Sequence, residues 1–210
     1  HRTPYSGRNY EYFSEDSLLT NIMATTITKA TQTLGAVAAP KHFAGNDQET
    51  NRNGVATFYT EQGFREIQLR GFEGAMTSTE GNAHCTMTAF NRIGVKQAAY
   101  SDELLTSLLR GEWGFDGFAI TDMASANAQT FMVFDDGIAN GTDCYDGSGS
   151  ENALSAYKSS PMFANKMRES THRILYVTAN YSAIMNGISS ADRVVKVLTW
   201  WQVMLNSILA

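Results

Sequence analysis

The chain alternates short apolar runs with longer segments in which apolar side chains recur every three or four residues. From Asp16 to Leu34 the positions Leu18, Leu19, Ile22, Met23, Ile27 and Leu34 follow helical spacing. Ser14 or Asp16 is placed to cap the first turn, and Gly35 to stop the last. Ala36 to Ala39 is short, apolar and closed by Pro40, the pattern of a buried strand ending at a loop. A second helix is predicted over Phe58 to Met76, with Phe58, Phe64, Ile67, Phe72 and Met76 on one broad face. His84 to Phe90 reads as a strand, Asp102 to Trp113 as a short Leu-rich helix, and Gly117 to Thr121 as the cleanest buried strand. A polar helix-like stretch, Ser125 to Phe134, leads to a fourth short run at Gly141 to Tyr145. Pro161 to Ala179 is a further good helix.

Strands alternating with helices predict βαβ units and a parallel sheet, so the fold class is α/β. The gaps between the predicted strands are long enough for parallel crossovers. Four strands suit either an open doubly wound sheet or half of a (β/α)8 barrel of the TIM type.

Composition narrows the function classes. The 210 residues carry 16 Lys and Arg against 21 Asp and Glu, and this mild negative charge leaves no basic footprint for nucleic acid. With 43 % apolar residues the chain is too hydrophobic for disorder, and no run reaches the ~18 consecutive apolar residues of a membrane span. Cys85 and Cys144 cannot make a disulfide framework, and no paired-cysteine motif points to zinc; no metal or cofactor is expected. The start at His1-Arg2-Thr3-Pro4 has no Met and no signal peptide, and the stop at Ala210 falls within an apolar run. A piece of something larger is expected. Its expected location is the cytoplasm, or the cell envelope if an anchor follows Trp200.

Polar chemistry gathers where the predicted strands end. Lys41 and His42 follow the first, Phe90, Asn91 and Arg92 the second, Asp122 the third, and Asp143 lies in the fourth run. That C-terminal edge is where α/β barrels and open parallel sheets hold ligands. Asp122 sits at the rim of a dry core, where a carboxylate needs a partner or caps the next helix. Lys41, His42 and Arg8 are its candidate partners. His84, inside an apolar run, reads as a core histidine, and His172 as a structural residue of its helix. Asp146 to Ser150 is a loop without the Gly-Lys-Ser/Thr ending of a phosphate cradle. An open-sheet nucleotide-binding domain would place a Gly-rich turn after the first strand, where Pro40-Lys41-His42 stands instead.

Five blocks carry a resemblance. They are Gly7-Arg8-Asn9-Tyr10-Glu11-Tyr12-Phe13-Ser14-Glu15-Asp16; Lys41-His42-Phe43-Ala44 with Asn46-Asp47-Gln48-Glu49 and Arg52; Met87 to Asn91; Trp113 to Phe118; and Thr121-Asp122. In this order and spacing they closely resemble the catalytic barrel of glycoside hydrolase family 3, the β-glucosidase and β-xylosidase family. The resemblance implies that Asp122 is the nucleophile. It implies that Arg8, Lys41 and His42 hold the hydroxyls of the non-reducing sugar in the −1 subsite, and that a non-proline cis peptide lies near Lys41-His42. Phe90 and Met123 join the expected substrate-binding residues, with two departures from the family pattern. Phe90 often is Tyr, so a hydroxyl near Asp122 is missing, and Met123 replaces a Trp of the aglycone platform. The chemistry fits these residue types. A retaining glycosidase needs an ionised carboxylate and a protonated acid about 5–5.5 Å apart. Lys and Arg beside the nucleophile favour its charged form and offer donors to sugar hydroxyls.

The acid/base of the β-glucosidases in this family is a Glu on a separate domain. A subgroup uses a His within a KHFPGHG-type loop, but Lys41-His42-Phe43 is followed by Ala-Gly-Asn-Asp-Gln-Glu with no second His. No Glu in residues 146–210 has a motif for that acid; Glu151 and Glu169 read as surface residues. Met167 to Tyr176 and Ala183 to Gly187 resemble the tail of bacterial members with reversed domain order. There a sandwich domain precedes the barrel, and a hydrophobic segment follows a pair like Trp200-Trp201; an amphipathic closing helix is the alternative. The expected organisation is therefore the C-terminal half of a (β/α)8 barrel over 1–147, barrel helices over 148–187 and a tail over 188–210. The missing barrel half and sandwich domain, or a partner chain, would complete it. The expected activity is retaining hydrolysis of terminal β-D-glycosides or β-linked oligosaccharides, β-glucosides first and β-xylosides or α-arabinofuranosides next. The competing reading is an inactive or truncated sugar-binding module.

Overall fold

The structure, a computed structural model, describes residues 3–53, 55–124, 133–147, 159–182 and 198–209. Helix α1 (Ser17–Gln32) begins where the Asp16 carboxylate accepts from the Leu19 N–H at 2.6 Å, and it gives way to Gly35 at φ 76°. Strand β1 (Ala56–Thr57) precedes a continuous helical stretch: α2 (Glu61–Gly63), a π-helical segment (Phe64–Leu69) and α3 (Arg70–Met76). Strands β2 (Cys85–Thr88), β3 (Arg92–Ile93) and β4 (Lys96–Gln97) lead to a π-helix over Glu103–Glu112 and then to β5 (Phe118–Thr121). Helices α4 (Phe134–Asn140), α5 (Pro161–Tyr181) and α6 (Trp200–Leu209) follow.

The parallel sheet is real but thinner than its sequence pattern. β2 and β5 pair in parallel from Cys85↔Phe118 to Thr88↔Thr121. On the outer side of β2, Phe43 forms a parallel bridge with Thr88; on the outer side of β5, Cys144 bridges Ile120. The spatial order is thus the segment at Phe43, β2, β5 and the segment at Cys144, all parallel. The first and last, however, are single bridges. The expected strand at Ala36–Ala39 makes no ladder among the described residues, because the β2 edge bonds further on: Met87 N–H donates to Pro40 O at 3.2 Å and Phe43 N–H to Met87 O at 2.8 Å.

Two helices depart from expectation. The second starts at Glu61, where Thr60 Oγ1 accepts from the Gly63 N–H, so Phe58 lies outside it and is exposed. Helix α1 turns its small and polar stripe inward: Asn21, Ala24 and Thr28 are buried, and Asn21 Nδ2 donates to Arg70 O at 2.7 Å. Gly71 and Gly74 let it approach α3 closely, since a Cβ on Gly74 would run into Thr25 and Asn21. Its predicted apolar face, Leu18, Leu19, Ile22, Met23 and Ile27, is therefore left exposed.

The main core lies under β2 and β5, built from Phe43, Leu69, Met76, Leu104, Leu105, Leu108, Leu109, Trp113 and Phe115. Four of the five leucines, Leu104, Leu105, Leu108 and Leu109, come from the π-helix over Glu103–Glu112. A short antiparallel hairpin, Arg92↔Gln97 and Ile93↔Lys96, turns on Gly94 at φ 60°, the first central residue of a two-residue loop. Most of the expected helix at Ser125–Phe134 lies outside the described residues; Phe134 opens α4. α6 exposes Trp200, Val203 and Ile208, and no helix among the described residues is long and apolar enough to cross a membrane.

Candidate active site

The sheet register brings two sequence-predicted residues together. Asp122 follows Thr121, the last residue of β5, and Thr121 is opposite Thr88. Thr88 bridges Phe43, so His42 stands at the same C-terminal edge, with its Nε2 3.4 Å from Asp122 Oδ2. The other Asp122 oxygen accepts from the Met123 N–H at 2.7 Å. The Lys41-His42 and Phe43-Ala44 peptide bonds are both cis.

Arg8 arrives from another direction. Gly7 adopts φ 85°, and a 3-10 turn over Asn9–Glu11 follows Arg8, so that Arg8 and Glu11 face each other. Their contact is bidentate: Arg8 Nε and Nη2 donate to the two Glu11 oxygens at 2.7 Å each. Lys41 Nζ lies 3.2 Å from the same Glu11, and Arg8 Nη2 is 3.5 Å from His42 Nε2. Glu49 extends the network, 3.8 Å from Arg8 and 3.0 Å from Arg52, and accepts from Asn46 Nδ2 at 3.1 Å. Tyr12 Oη lies 2.8 Å from His42 Nδ1.

Of the three expected partners of Asp122, then, His42 makes the contact. Lys41 and Arg8 are drawn instead to Glu11. The cations keep donors to spare, since Arg has five N–H groups and Lys three, so the Glu11 clamp orients them without exhausting them. Glu11, Tyr12 and Glu49 stand in the blocks that carry the resemblance, but the sequence reading gave them no role. Glu11 and Glu49 each carried a usable signal, an oppositely charged residue three positions away (Arg8 and Arg52); Tyr12 carried none.

The charges follow from these contacts. Hydrogen bonding from Arg8, with Lys41 adding to it, holds the Glu11 carboxyl at about 2 despite partial burial. Burial pulls His42 down to about 4; Asp122 opposes that shift, and Arg8 and Lys41 reinforce it. Burial pushes the Tyr12 phenol up to about 12. At neutral pH the site therefore holds a carboxylate clamp, a neutral imidazole and an intact phenol beside Asp122. Next to it, a cavity of about 260 Å³ is lined by Glu11, Tyr12, Lys41, His42, Asn46 and Phe72 among others.

The sequence profile of the Glycosyl hydrolase family 3 N terminal domain matches residues 1–139. The chain belongs to glycosyl hydrolase family 3. It is 34 % identical to a β-glucosidase of Ruminococcus albus over 195 residues, which cover 83 % of this chain and 19 % of that protein. It is 34 % identical to thermostable β-glucosidase B of Acetivibrio thermocellus over 84 % of this chain and 23 % of that protein. Among solved structures, β-glucosidase 3B of Thermotoga neapolitana in complex with glucose matches with a TM-score of 0.78 and 33 % identity, over 89 % of this chain and 26 % of that one. The chain spans roughly a fifth to a quarter of these family 3 relatives.

The remaining expected residues of this family 3 chain sit as follows. Phe90 is buried beneath Arg52, whose guanidinium lies 4.6 Å above the ring, and packs with Ala99 and Ala124. Met123 is exposed. Asn91 is buried and donates to Ala44 O at 3.2 Å, a bond that holds the backbone beside His42. Asp143 does not belong to the edge with His42 and Asp122. Its N–H bonds to Ala119 O, one level below, and its carboxylate is wholly buried between Arg110 and Arg173. His84 is a core histidine, as read: it lies before β2, at the opposite end of the strand from Asp122, and stacks on Tyr181 at 3.5 Å between ring centres. His172 is exposed on α5. Among the described residues no cluster of three or more His, Cys, Asp or Glu is arranged to hold a metal.

Proposed function

We propose that the chain is the nucleophile-bearing part of a retaining β-glycosidase that acts on terminal β-glucosides, with Asp122 attacking the anomeric carbon. The observation that carries this reading is the meeting of His42 and Asp122 at one strand edge, 3.4 Å apart, with Arg8 and Lys41 oriented by Glu11. In this reading Arg8, Lys41 and His42 bind the hydroxyls of the −1 sugar, and Phe90 and Met123 border the site. A fixed set of donors holds the ring for in-line attack by a positioned carboxylate. In this reading β2, β5 and the flanking segments that bridge them at Phe43 and Cys144 belong to the C-terminal half of a (β/α)8 barrel. The uncovered apolar face of α1 and the two thin outer strands support a barrel half and a sandwich domain elsewhere in the same protein, or a partner chain.

The proton donor then lies outside this chain. Glu11, held at about 2 by Arg8, stays ionised at neutral pH and cannot protonate a leaving oxygen. The same observation favours a second reading, in which the chain binds sugar without turning it over. Aryl β-glucoside, β-xyloside and α-arabinofuranoside assays on the whole protein decide between them. The hydrolase reading expects turnover highest on the β-glucoside and lost in Asp122→Asn. Turnover that survives Asp122→Asn removes the nucleophile assignment, and saturable glucose binding with no turnover of any of the three supports the binding module.

A further inference from the structure

Tyr12 touches a deeply buried imidazole of the site. His42 is 2 % exposed, and its two ring nitrogens meet different neighbours. Nδ1 lies 2.8 Å from Tyr12 Oη, while Nε2 lies 3.4 Å from Asp122 Oδ2 and 3.5 Å from Arg8 Nη2. With its pKa at about 4 the ring is neutral at pH 7 and carries a single N–H. Which nitrogen holds that hydrogen decides what the ring offers.

Two arrangements compete. In the first, the Tyr12 O–H donates to Nδ1, 2.8 Å away. Nε2 then carries the hydrogen and presents it to the Asp122 carboxylate. The opposite tautomer turns a bare Nε2 lone pair toward a carboxylate oxygen at 3.4 Å. Its one gain is the 3.5 Å contact from Arg8, whose Nε and Nη2 already make 2.7 Å bonds to Glu11. The first arrangement gives each ring nitrogen a complementary partner and leaves only the long Arg8 contact unpaired.

We infer that Tyr12 is a positioning residue: its hydroxyl donates to Nδ1 and fixes His42 as the Nε2–H tautomer, aimed at Asp122 and at a sugar hydroxyl approaching that edge. The sugar half of this inference rests on the hydrolase reading; the tautomer does not. Long-range 1H–15N correlation spectra of the whole protein at pH 7 test it directly, with the His42 ring signals identified by their loss in His42→Gln. The expected spectrum has a protonated Nε2 and a bare Nδ1, and Tyr12→Phe moves the hydrogen to Nδ1 or splits the ring between the two forms. A wild-type ring protonated at Nδ1 overturns the inference, as does a Tyr12→Phe ring still wholly in the Nε2–H form. Should Tyr12→Phe fail to fold, as judged by its amide spectrum, the wild-type spectrum alone decides. Glucose titration in the same sample separates the two claims: an Nε2–H ring in a whole protein that ignores glucose and turns over no aryl β-glucoside defeats the hydrolase reading and leaves the tautomer standing.

Discussion

Replacing Asp143 by Ala removes the centre of a buried charge network. The carboxylate is fully buried and accepts four hydrogen bonds: from Arg110 Nη2 at 2.6 Å, Ala119 N–H at 2.8 Å, Arg173 Nη1 at 2.8 Å and Ser170 Oγ at 2.9 Å. These tie β5, the π-helix and α5 to one residue. Removing one partner of a buried ion pair costs about 3–5 kcal/mol, because the other charge stays behind uncompensated. Arg110 bears most of that cost. Its side chain is 12 % exposed, and it keeps only the Gly117 and Gly141 carbonyls, at 2.8 and 3.2 Å. Arg173 is a quarter exposed and regains water, so its share is small. The stranded Ala119 N–H adds a penalty within the ~1–3 kcal/mol range of an unsatisfied buried group. Since the terms share one cavity they do not simply add, and the expectation is a loss of about 3–5 kcal/mol. For a chain of this size that lowers Tm by roughly 6–20 °C. Urea unfolding followed by circular dichroism measures it, with Asp143→Asn as the comparison. Asn keeps the shape and one acceptor oxygen, so its loss should be smaller than that of Ala. A loss below about 1 kcal/mol for Asp143→Ala would refute the network as a source of stability.

Acid should destabilise the chain in two stages. The His42 pKa falls from 6.5 to about 4 on folding, so between those values the unfolded chain binds more protons and stability drops as pH falls. Glu11 falls from 4.5 to about 2, so its contribution is present above 4.5 and disappears as pH falls through 2. Denaturant midpoints measured against pH should show His42→Gln flattening the upper limb and Glu11→Gln the lower; an unchanged slope between 6.5 and 4 in His42→Gln contradicts the assignment. Gly117→Ala is expected to cost about 1–3 kcal/mol in thermal melts, because its Cβ would press on the His84 carbonyl, which is backbone, and on the Phe115 ring. An unchanged melting temperature would show that the β2–β5 register can shift.

Much of the frame was readable because its signals are local. The Asp16 cap, the Gly35 stop and the apolar run into Thr121 each depend on neighbours in sequence, and each appears where expected. Alternation of strands and helices predicted the parallel pairing seen between β2 and β5, and left the order of the strands open. The facing of α1 was misread: five large apolar side chains predicted its buried side, but two glycines on α3 made the stripe of Asn21, Ala24 and Thr28 the closer fit. In the site, the strand-end rule brought His42 and Asp122 together and misplaced Asp143, which is level with Ala119, three residues before Asp122, and faces Arg110. Glu11 and Tyr12 reach His42 and Lys41 across some thirty residues, a distance no local pattern covers.

The central claim is that Asp122 is the nucleophile. Its most direct test is to treat the whole protein with a 2-deoxy-2-fluoro β-glucoside bearing a good leaving group, and to map the labelled peptide by mass spectrometry. The account predicts one fluoroglucosyl adduct, carried by the Asp122 carboxylate. An adduct on any other carboxylate, or turnover of an aryl β-glucoside with no adduct at all, would contradict it.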